Sequence, residues 1–481
     1  MAKRKKKSLA RRILKAAAWL VALVLLYNIV GGYLPFARTP ALTDAASVEA
    51  RAEEMLSDID TADRALILET RLSALDERIR PMNQAREELI ITTYDCRDGE
   101  STRDIMAVAL DRAEAGVRVR VLMDGIAGAV MSLNGMFRAF AAHPNIEVRF
   151  YNPLRLFAAW KRMGRMHDKY VIADDTAYIL GGRNMIDHFI GDYFSPSPSQ
   201  DREALIYNAA HGTQRAGESS LFQVRDYFEG MWANPETSVY APAVASAKLE
   251  AACAELRERC AGIRAAKPAL FAPADYAGMT METRGIWLVS NPTGIYAKEP
   301  VVFSTLCALM RNAREDIVIH SPYAVLNAGM RTALTDIAAR TPVTLMVNAV
   351  ENGDNFVASS DYLYHKAEVL AIGVRLLEYA GGDSYHGKSI AIDRDISVIG
   401  SYNLDLRSTY VDTELMLVIR GEAVNACLRE NMAALHADCR QVIDAGTAIE
   451  PETVDIPPVP PLKAFALRLN GALMQLVRNL V

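Results

Sequence analysis

Cysteine is scarce in this sequence and never occurs in a metal-binding or redox spacing. The 481 residues include six cysteines and no C-x-x-C pair, which argues against a zinc site or a thioredoxin-like centre. Cys253 and Cys260 follow a helical pattern, about 10 Å apart along the axis and too far for an intrahelical disulfide. Most of the six are expected to be buried thiols, although an oxidising compartment would permit a bridge.

Long apolar runs are equally scarce. Only residues 16–37 form a long run without a charged residue, which excludes a multi-span transporter. Apolar residues make up 51% of the chain and charged residues 23%, so a disordered, collagen-like or disulfide-knot protein is excluded as well. The length is sufficient for two or three globular domains.

Acidic residues are missing from positions 1–15, which hold eight lysines and arginines. The rest of the chain is therefore more acidic than the overall charge of -5, and nucleic acid is not expected as a partner. Residues 16–37 would span about 33 Å as a helix, close to the thickness of a bilayer core. The pattern predicts a single-pass anchor in the cell membrane, with the remainder of the chain outside the cytoplasm. A cleaved signal peptide is the alternative, but its apolar region is usually shorter.

The soluble part of the chain repeats itself. Strand-like runs alternate with helical stretches in the same order twice, first at 88–95, 117–125 and 145–152, and again at 316–323, 342–350 and 373–380. This alternation predicts α/β layers around a largely parallel sheet in each copy.

Each copy then reaches the same set of residues. The offsets from the histidine are +2, +7, +14 and +17 in both copies, an agreement that is too regular for chance. The two sets are His167, Lys169, Asp174, Gly181 and Asn184, and His386, Lys388, Asp393, Gly400 and Asn403.

The spacing within each set indicates its chemistry. A histidine and a lysine two positions apart on a strand point to the same face and can address one ligand. Position +7 has the opposite parity and falls in a turn, so Asp174 and Asp393 are expected to support that turn, or pair with a nearby base, rather than touch substrate. The next strand is expected to return antiparallel and to end in a glycine, which permits close backbone approach, and an asparagine, whose amide can bind an oxyanion.

Two histidines and two lysines in one site suit phosphodiester chemistry. One imidazole attacks phosphorus and forms a phosphohistidine, while the other protonates the leaving alcohol and then activates the acceptor. The ammonium groups hold the phosphate oxygens, as a metal ion does elsewhere. No metal or other cofactor is expected.

The duplicated H-x-K-x4-D motif resembles that of the phospholipase D superfamily. The resemblance covers about residues 60–445. The stretches HPNIEVRFYN before the first motif and GSYNLDLRSTYVDTE after the second are similar to bacterial cardiolipin synthases and related phosphatidyltransferases. The resemblance implies two tandem α/β domains of this superfamily, related by a pseudo-twofold axis. It also implies that the histidines, lysines and aspartates of both motifs form the catalytic set, with His167 as nucleophile and His386 as general acid and base.

The same resemblance implies a carboxylate behind each histidine. Glu414 matches the family's glutamate, while Asp201 and Glu203 both lie where the other acidic residue is expected. The further candidates for binding or support are Asn184, Asn403 and Ser401. Two departures from the family pattern appear: Asp412 replaces asparagine in R-S-x3-N-x-E, and no aromatic residue precedes the first acidic position.

Two segments have features typical of segments that bind membrane surfaces. Residues 152–166 contain no acidic residue and combine basic with apolar side chains, namely Arg155, Lys161, Arg162 and Arg165 with Leu154, Leu156, Phe157 and Trp160. This mixture suits an anionic lipid headgroup, although a solvated helix with a core-facing stripe is the alternative. Residues 462–481 have apolar positions at helical spacing and predict an interfacial amphipathic helix, which could instead dock on the protein itself or on a partner.

The expected organisation has seven parts: a basic cytoplasmic segment (1–15), a transmembrane anchor (16–37), a linker (38–60), two phospholipase D-like domains (61–270 and 286–445), a proline-rich linker (446–461) and the amphipathic helix (462–481). The expected function is a membrane-anchored phosphatidyltransferase of cardiolipin-synthase type, acting on phosphatidylglycerol or similar phospholipids. Hydrolysis of phospholipids is the alternative. A nuclease is disfavoured by the acidic body, and an inactive lipid-binding protein by the intact His–Lys pairs.

Overall fold

The computed structural model describes residues 2–59, 61–155 and 157–481. It begins with α1 (Ala2–Tyr33), a 3-10 turn (Leu34–Phe36) and α2 (Ala45–Met55). Helix α1 includes the basic segment, so it starts before the predicted anchor and ends before residue 37. Within it and the following turn, Arg11–Phe36 is long and apolar enough to span a membrane, with a mean hydropathy of 2.1.

The first repeated half builds one nine-stranded sheet with helices around it. Its elements are β1 (Asp63–Leu68), α3 (Arg71–Gln84), β2 (Glu88–Thr93), α4 (Glu100–Glu114), β3 (Arg118–Asp124), α5 (Gly125–Met131), α6 (Gly135–Ala141), β4 (Ile146–Tyr151), β5 (Tyr170–Ala173), β6 (Ala177–Gly181), β7 (Ser199–Gln200), β8 (Glu203–Asn208), α7 (Ser220–Trp232), β9 (Thr237–Tyr240), α8 (Ser246–Ala266), α9 (Pro268–Phe271), α10 (Tyr276–Met279) and β10 (Met281–Glu282). Two 3-10 turns, Ala159–Lys161 and Ala216–Glu218, lie between them.

The second half builds another nine-stranded sheet. Its elements are β11 (Gly285–Ser290), α11 (Val301–Arg311), β12 (Ile317–His320), α12 (Ala328–Ala338), β13 (Val343–Asn348), α13 (Phe356–Leu370), β14 (Arg375–Tyr379), β15 (Ser384–Tyr385), β16 (Ser389–Ile392), β17 (Ile396–Gly400), α14 (Leu406–Tyr410), β18 (Leu415–Arg420), α15 (Glu422–His436), β19 (Cys439–Val442), β20 (Ala448–Ile449) and α16 (Pro461–Met474), with a final 3-10 helix (Gln475–Leu480).

The two sheets have matching strand orders. The first is β10-β1-β8-β6-β5-β2-β3-β4-β9, and the second is β11-β18-β17-β16-β12-β13-β14-β19-β20. From β1 and β11 onward, eight strands of one sheet correspond in order to eight of the other. The repeat seen in the sequence is therefore a repeat of the fold.

The prediction of a largely parallel sheet is wrong. Among the described strand pairs within the two nine-stranded sheets, only β2–β3 and β3–β4, and their counterparts β12–β13 and β13–β14, are parallel. Helical crossovers join the neighbours in these parallel pairs, whereas the strands after each histidine fold back as the antiparallel hairpins β5–β6 and β16–β17. The antiparallel return after each motif is confirmed.

The two halves share an apolar core, which fixes their relative position. Leu180 and Ile206 contribute to this core from the first sheet, and Ile399 and Leu417 contribute from the second. Burial of such side chains stabilises a fold by about 1.5–3 kcal/mol each, so the interface is a structural core rather than a loose domain contact. The site described below lies where the halves meet.

The C-terminal segment docks on the second half while exposing part of its apolar surface. Leu467 and Gly471 of α16 are buried, and a Cβ at Gly471 would lie 2.7 Å from the carbonyl oxygen of Ser360 in α13. Arg478 pairs with Asp361 of α13 at 2.8 Å. The residues exposed on α16 and the turn after it include Leu462, Phe465, Leu469, Leu473 and Leu476. Docking on the protein itself therefore holds one face of this segment and leaves the other open.

Candidate active site

Both histidines lie just before a strand, at the boundary between the halves. His167 and Lys169 precede β5, and His386 and Lys388 precede β16, so the motifs occupy extended segments that lead into the strands. Each histidine is 7% exposed. The two sequence-predicted pairs form one buried centre, in which the charges of Lys388 and His386 act on His167.

Two short parallel pairings join the halves next to the histidines. We call them the seam. In one, Met166 of the first half pairs with Thr413 of the second. In the other, β15 pairs with β7. One residue farther on, the His167 N–H donates to Thr413 Oγ1 at 3.2 Å and the His386 N–H donates to the Gln200 carbonyl at 2.6 Å.

Each histidine is oriented by a carboxylate from the opposite half. His167 Nδ1 lies 2.9 Å from Glu414 Oε1, and His386 Nδ1 lies 2.6 Å from Asp201 Oδ2. A carboxylate partner keeps the proton on Nδ1 and leaves Nε2 toward the site. Asp201 therefore supplies the second carboxylate. Glu203 instead forms a buried ion pair with Arg78 and lies 3.4 Å from Arg183.

The residue that follows the motif glycine lies against the orienting carboxylate in each copy, and it differs between the two copies. A Cβ at Gly182 would lie 2.3 Å from Asp201 Oδ1, so the bare backbone gives the aspartate its room. The equivalent position in the second copy is Ser401, whose hydroxyl donates to Glu414 Oε2 at 2.5 Å. Ser401 thus positions Glu414, which in turn orients His167.

The two lysines lie close to the histidines. Lys169 Nζ donates to the His167 carbonyl at 2.5 Å, and Lys388 Nζ lies 3.0 Å from His386 Nε2 and 3.9 Å from Asp201. Burial lowers the pKa of Lys169 to about 7 and also lowers that of Lys388, in both cases opposed by nearby carboxylates. Within the described ranges, no three His, Cys, Asp or Glu side chains are grouped to hold a metal ion.

Burial also sets the protonation of the imidazoles. It lowers the pKa of His167 well below the usual value, and the charges of Lys169 and Lys388 lower it further. The pKa of His386 is lowered by burial and by Lys388, with Asp201 acting in the opposite direction. The pKa of Asp201 is itself held low, because Lys388 and His386 outweigh its burial. His167 is thus a neutral imidazole, and His386 has an ionised partner that favours its charged form.

The motif aspartates lie at the far ends of β5 and β16 from the histidines. Both have left-handed backbones, with φ of 50° at Asp174 and 48° at Asp393. Asp174 accepts backbone N–H bonds from Arg86, Glu87 and Glu88 at 2.7–2.9 Å, and Asp393 likewise binds the chain before β12. These contacts hold the hairpin turns. The structure therefore corrects the implied catalytic role of the two aspartates to a structural one.

The two motif asparagines differ in the hydrogen bonds that they make within the protein. Asn184 Oδ1 accepts the Asp95 N–H at 3.2 Å, which turns its amide nitrogen toward other partners. Asn403 is 8% exposed, and its Oδ1 has no hydrogen-bond partner among the described residues. Both remain candidates for holding substrate oxygens, and Asn403 has a hydrogen-bonding requirement that no described residue meets.

Sequence reasoning missed two residues beside His167. The ring of Tyr94 meets the imidazole edge to face at 4.7 Å and lies 4.9 Å from Lys169 Nζ. Asp168, the middle residue of the motif, accepts hydrogen bonds from Thr413 and Tyr227 at 2.8–2.9 Å, and burial raises its pKa to about 6. Asp168 could have been found from its place between the histidine and the lysine. For Tyr94, the only signal in the sequence was its position near the end of the strand-like run 88–95.

The segment 152–166 differs from both expectations. It is not a helix beyond the turn Ala159–Lys161, and Leu156 lies outside the described residues. Much of its positive charge is already paired: Arg155 and Lys161 with Glu236 at 3.0 and 2.7 Å, and Arg165, 1% exposed, with Asp124 at 2.8 Å. Arg165 is therefore unavailable to a lipid headgroup. The apolar part is open, with Phe157 86% exposed.

Asp412, where the family pattern has asparagine, joins this segment to the second half. Its carboxylate pairs with Arg407 at 2.7 Å and accepts the Arg165 N–H at 2.9 Å. Arg407 also donates to the Met163 carbonyl at 2.8 Å. The aspartate supplies two acceptor oxygens and a charge that matches Arg407, which explains the departure in terms of local bonding.

Comparison with known proteins agrees with this arrangement. The chain matches the family described as "Cardiolipin synthase, PLD-like domain" over residues 79–206 and 306–436, more than half of its length. It is 27% identical over 395 residues to cardiolipin synthase C of Escherichia coli, covering 74% of this chain and 81% of that protein. It is 24% identical over 377 residues to cardiolipin synthase A of Serratia proteamaculans, covering 76% and 68%. The solved phosphatidylserine synthase of Haemophilus influenzae has a similar fold, with a TM-score of 0.64 and 14% identity, over 90% of this chain and 100% of that one.

Two matching α/β halves that share paired His–Lys motifs define an enzyme of the phospholipase D superfamily. The chain belongs to the cardiolipin synthase family within it.

Proposed function

We propose that this protein is a membrane-anchored phosphatidyltransferase of the cardiolipin-synthase type, which moves a phosphatidyl group from one phospholipid to the hydroxyl of another. The crossed pairs His167–Glu414 and His386–Asp201 carry this proposal. They supply one neutral imidazole suited to attack and one imidazole with an ionised partner suited to proton transfer. The names of the relatives support lipids as the substrate class.

In the first step, His167 Nε2 attacks the phosphorus of the donor lipid. A P–N bond forms, the P–O bond to the leaving alcohol breaks, and His386 gives that oxygen its proton. Lys169 and Lys388 bind the non-bridging oxygens. The anionic phosphodiester offsets their two charges, so substrate binding favours the protonated form of His386 that this step requires.

In the second step, His386 acts as base. It takes the proton of the acceptor hydroxyl, the oxygen attacks phosphorus, and the P–N bond to His167 breaks. Transfer instead of hydrolysis requires that a lipid hydroxyl reach the phosphohistidine before water does.

The position of the apolar surfaces supports a lipid acceptor. The exposed apolar side chains of the 152–166 segment, Leu154, Phe157 and Trp160, lie 7 to 13 residues before His167 in the chain. The Phe157 carbonyl is bound by Tyr27 near the C-terminal end of α1. An anchor at residues 16–37 would hold this side of the site against the bilayer, where lipid hydroxyls are concentrated and bulk water is depleted.

The products formed from phosphatidylglycerol vesicles test this function. Cardiolipin, or a related diphosphatidyl lipid, should exceed phosphatidic acid. Phe157→Ser with Trp160→Ser should shift the ratio toward phosphatidic acid while leaving hydrolysis of a short soluble diester intact. Ile449→Ser, which changes an exposed apolar residue on β20, is the matched control and should leave the ratio unchanged. If the wild type yields mainly phosphatidic acid across several phospholipid mixtures, the protein is a hydrolase.

A further inference from the structure

The last turns of α1 make specific contacts with the segment 157–163. The Tyr27 hydroxyl donates to the Phe157 carbonyl at 2.6 Å, and the guanidinium of Arg162 donates to the side-chain oxygen of Asn28. These contacts cross more than 100 residues of sequence. They join the apolar helix to the segment that leads to His167.

The glycine at position 31 allows the close approach. A Cβ at Gly31 would lie 2.8 Å from the Cβ of Ala159, closer than real side chains come, and one at Gly32 would lie 3.8 Å from the Met163 side chain. With about 100° of rotation per residue, Tyr27, Asn28, Gly31 and Gly32 fall on one side of the helix. The contact face is thus built from two polar side chains and two glycines.

A helix that only anchors a protein in the membrane does not require a contact face of this kind. A membrane anchor needs about 20 apolar residues and no particular side chains. An asparagine in an apolar span is unfavourable unless its amide is bonded, and glycine weakens a helix. Asn28, Gly31 and Gly32, which are the residues least suited to a helix that only anchors the protein, are therefore the ones that contact the first half.

The contacted segment is tied to the catalytic centre by further bonds. The Asn152 amide donates to the carbonyls of Lys161 and Gly164 at 2.5 and 2.8 Å. Arg407 binds the Met163 carbonyl and Asp412 binds the Arg165 N–H, as described above. These bonds hold residues 161–165 without α1, so an effect of the helix would fall on the exposed part of the segment and not on His167 itself.

We propose that residues 27–32 of the membrane helix are a positioning element of the active-site entrance. They fix the segment 157–163 relative to the bilayer so that a lipid headgroup reaches His167 along one path. This inference rests on the proposed function for its membrane substrate, but it concerns access and not the choice between transfer and hydrolysis.

Gly31→Leu in the full chain tests the proposal. The variant should reach the membrane fraction in wild-type amounts, because the helix remains apolar. Its kcat/KM for phosphatidylglycerol in vesicles, counted over all products, should fall by at least about 10-fold, since small misplacements at an entrance are costly. Its rate with a short-chain soluble phosphodiester should stay within about twofold of wild type. The control is Ala22→Leu, nine residues earlier and therefore on the opposite side of α1, where the helix is exposed.

A compensating pair separates packing at this contact from a general change in the helix. Gly31→Ala places a methyl group against Ala159, and Ala159→Gly removes the atom that it meets. The double variant should recover most of the vesicle activity that Gly31→Ala loses. Equal losses with both substrates, or identical behaviour of Gly31→Leu and Ala22→Leu, would overturn the proposal. A wild type that only hydrolyses lipid would refute the proposed function and leave this comparison valid.

Discussion

Asp201 of the first half binds Nδ1 of His386 in the second half at 2.6 Å, while Glu414 of the second half binds Nδ1 of His167 in the first at 2.9 Å. The two bonds cross the boundary between the halves in opposite directions. Neither half therefore contains both members of either of these two histidine–carboxylate pairs.

Asp201→Asn and Glu414→Gln should each lower kcat by at least about 100-fold, because an amide can place the proton on the wrong imidazole nitrogen. Glu203→Gln is the control, since Glu203 pairs with Arg78 and touches neither histidine. It should lower the free energy of unfolding, because it breaks a buried ion pair, and leave kcat per folded molecule much closer to wild type. Similar kcat losses in all three variants would mean that Asp201 and Glu414 serve only stability.

The two histidines should differ in covalent trapping. With labelled donor lipid, His167→Ala should form no covalent intermediate. With a donor whose leaving group needs no protonation, His386→Ala should accumulate phosphatidyl-His167, because the second step still needs His386 as base. Mass spectrometry of the labelled peptide identifies the residue. Label on His386 in the His167→Ala protein would reverse the assignment, and label on neither would argue against a covalent intermediate.

The pH dependence of kcat/KM should reflect the shifted groups of the free enzyme. The depressed pKa of His167 keeps it neutral below pH 6.5, so the acidic limb should lie below the usual histidine value. Lys169, with a pKa of about 7, loses its charge as the pH rises through that value, which produces an alkaline limb. Lys169→Arg should lower the maximum and move the alkaline limb upward, because arginine stays charged. An unmoved limb would assign it to another group.

The basic residues before the apolar run should place the catalytic halves outside the cytoplasm. A phosphatase fused after Val481, active only outside the cytoplasm, should show activity, and a reporter that works only inside should not. Exchanging the lysines and arginines of positions 1–15 for neutral residues is the control and should weaken the preference. The opposite reporter pattern in the unaltered chain would reverse the orientation.

Much of the architecture follows from local patterns. The spacing from His167 to Asn184, repeated from His386 to Asn403, predicts two copies of one unit and the residues that meet at their boundary. The turn position of Asp174 follows from the acidic pair Asp174-Asp175, and parity places it on the face opposite His167 and Lys169. The apolar run 16–37 predicts the helix that can span a membrane.

What the sequence could not supply depends on contacts between distant residues. Asp201 and Glu203 have the same parity and similar chemistry, and only the buried Arg78 and the position of Gly182 separate their roles. The sheet is mixed because hairpins and crossovers have similar strand patterns in sequence. Likewise, the charge of the 152–166 segment is paired by Asp124 and Glu236, which come from other parts of the first half.

The seam also constrains how this protein can evolve. Met166 with Thr413, and β15 with β7, stand one residue before the crossed pairs. A change that shifts either pairing therefore moves the histidine of one copy together with the carboxylate that orients it from the other. The two copies cannot specialise independently, as duplicated units usually can, and each half is selected through the chemistry of its neighbour.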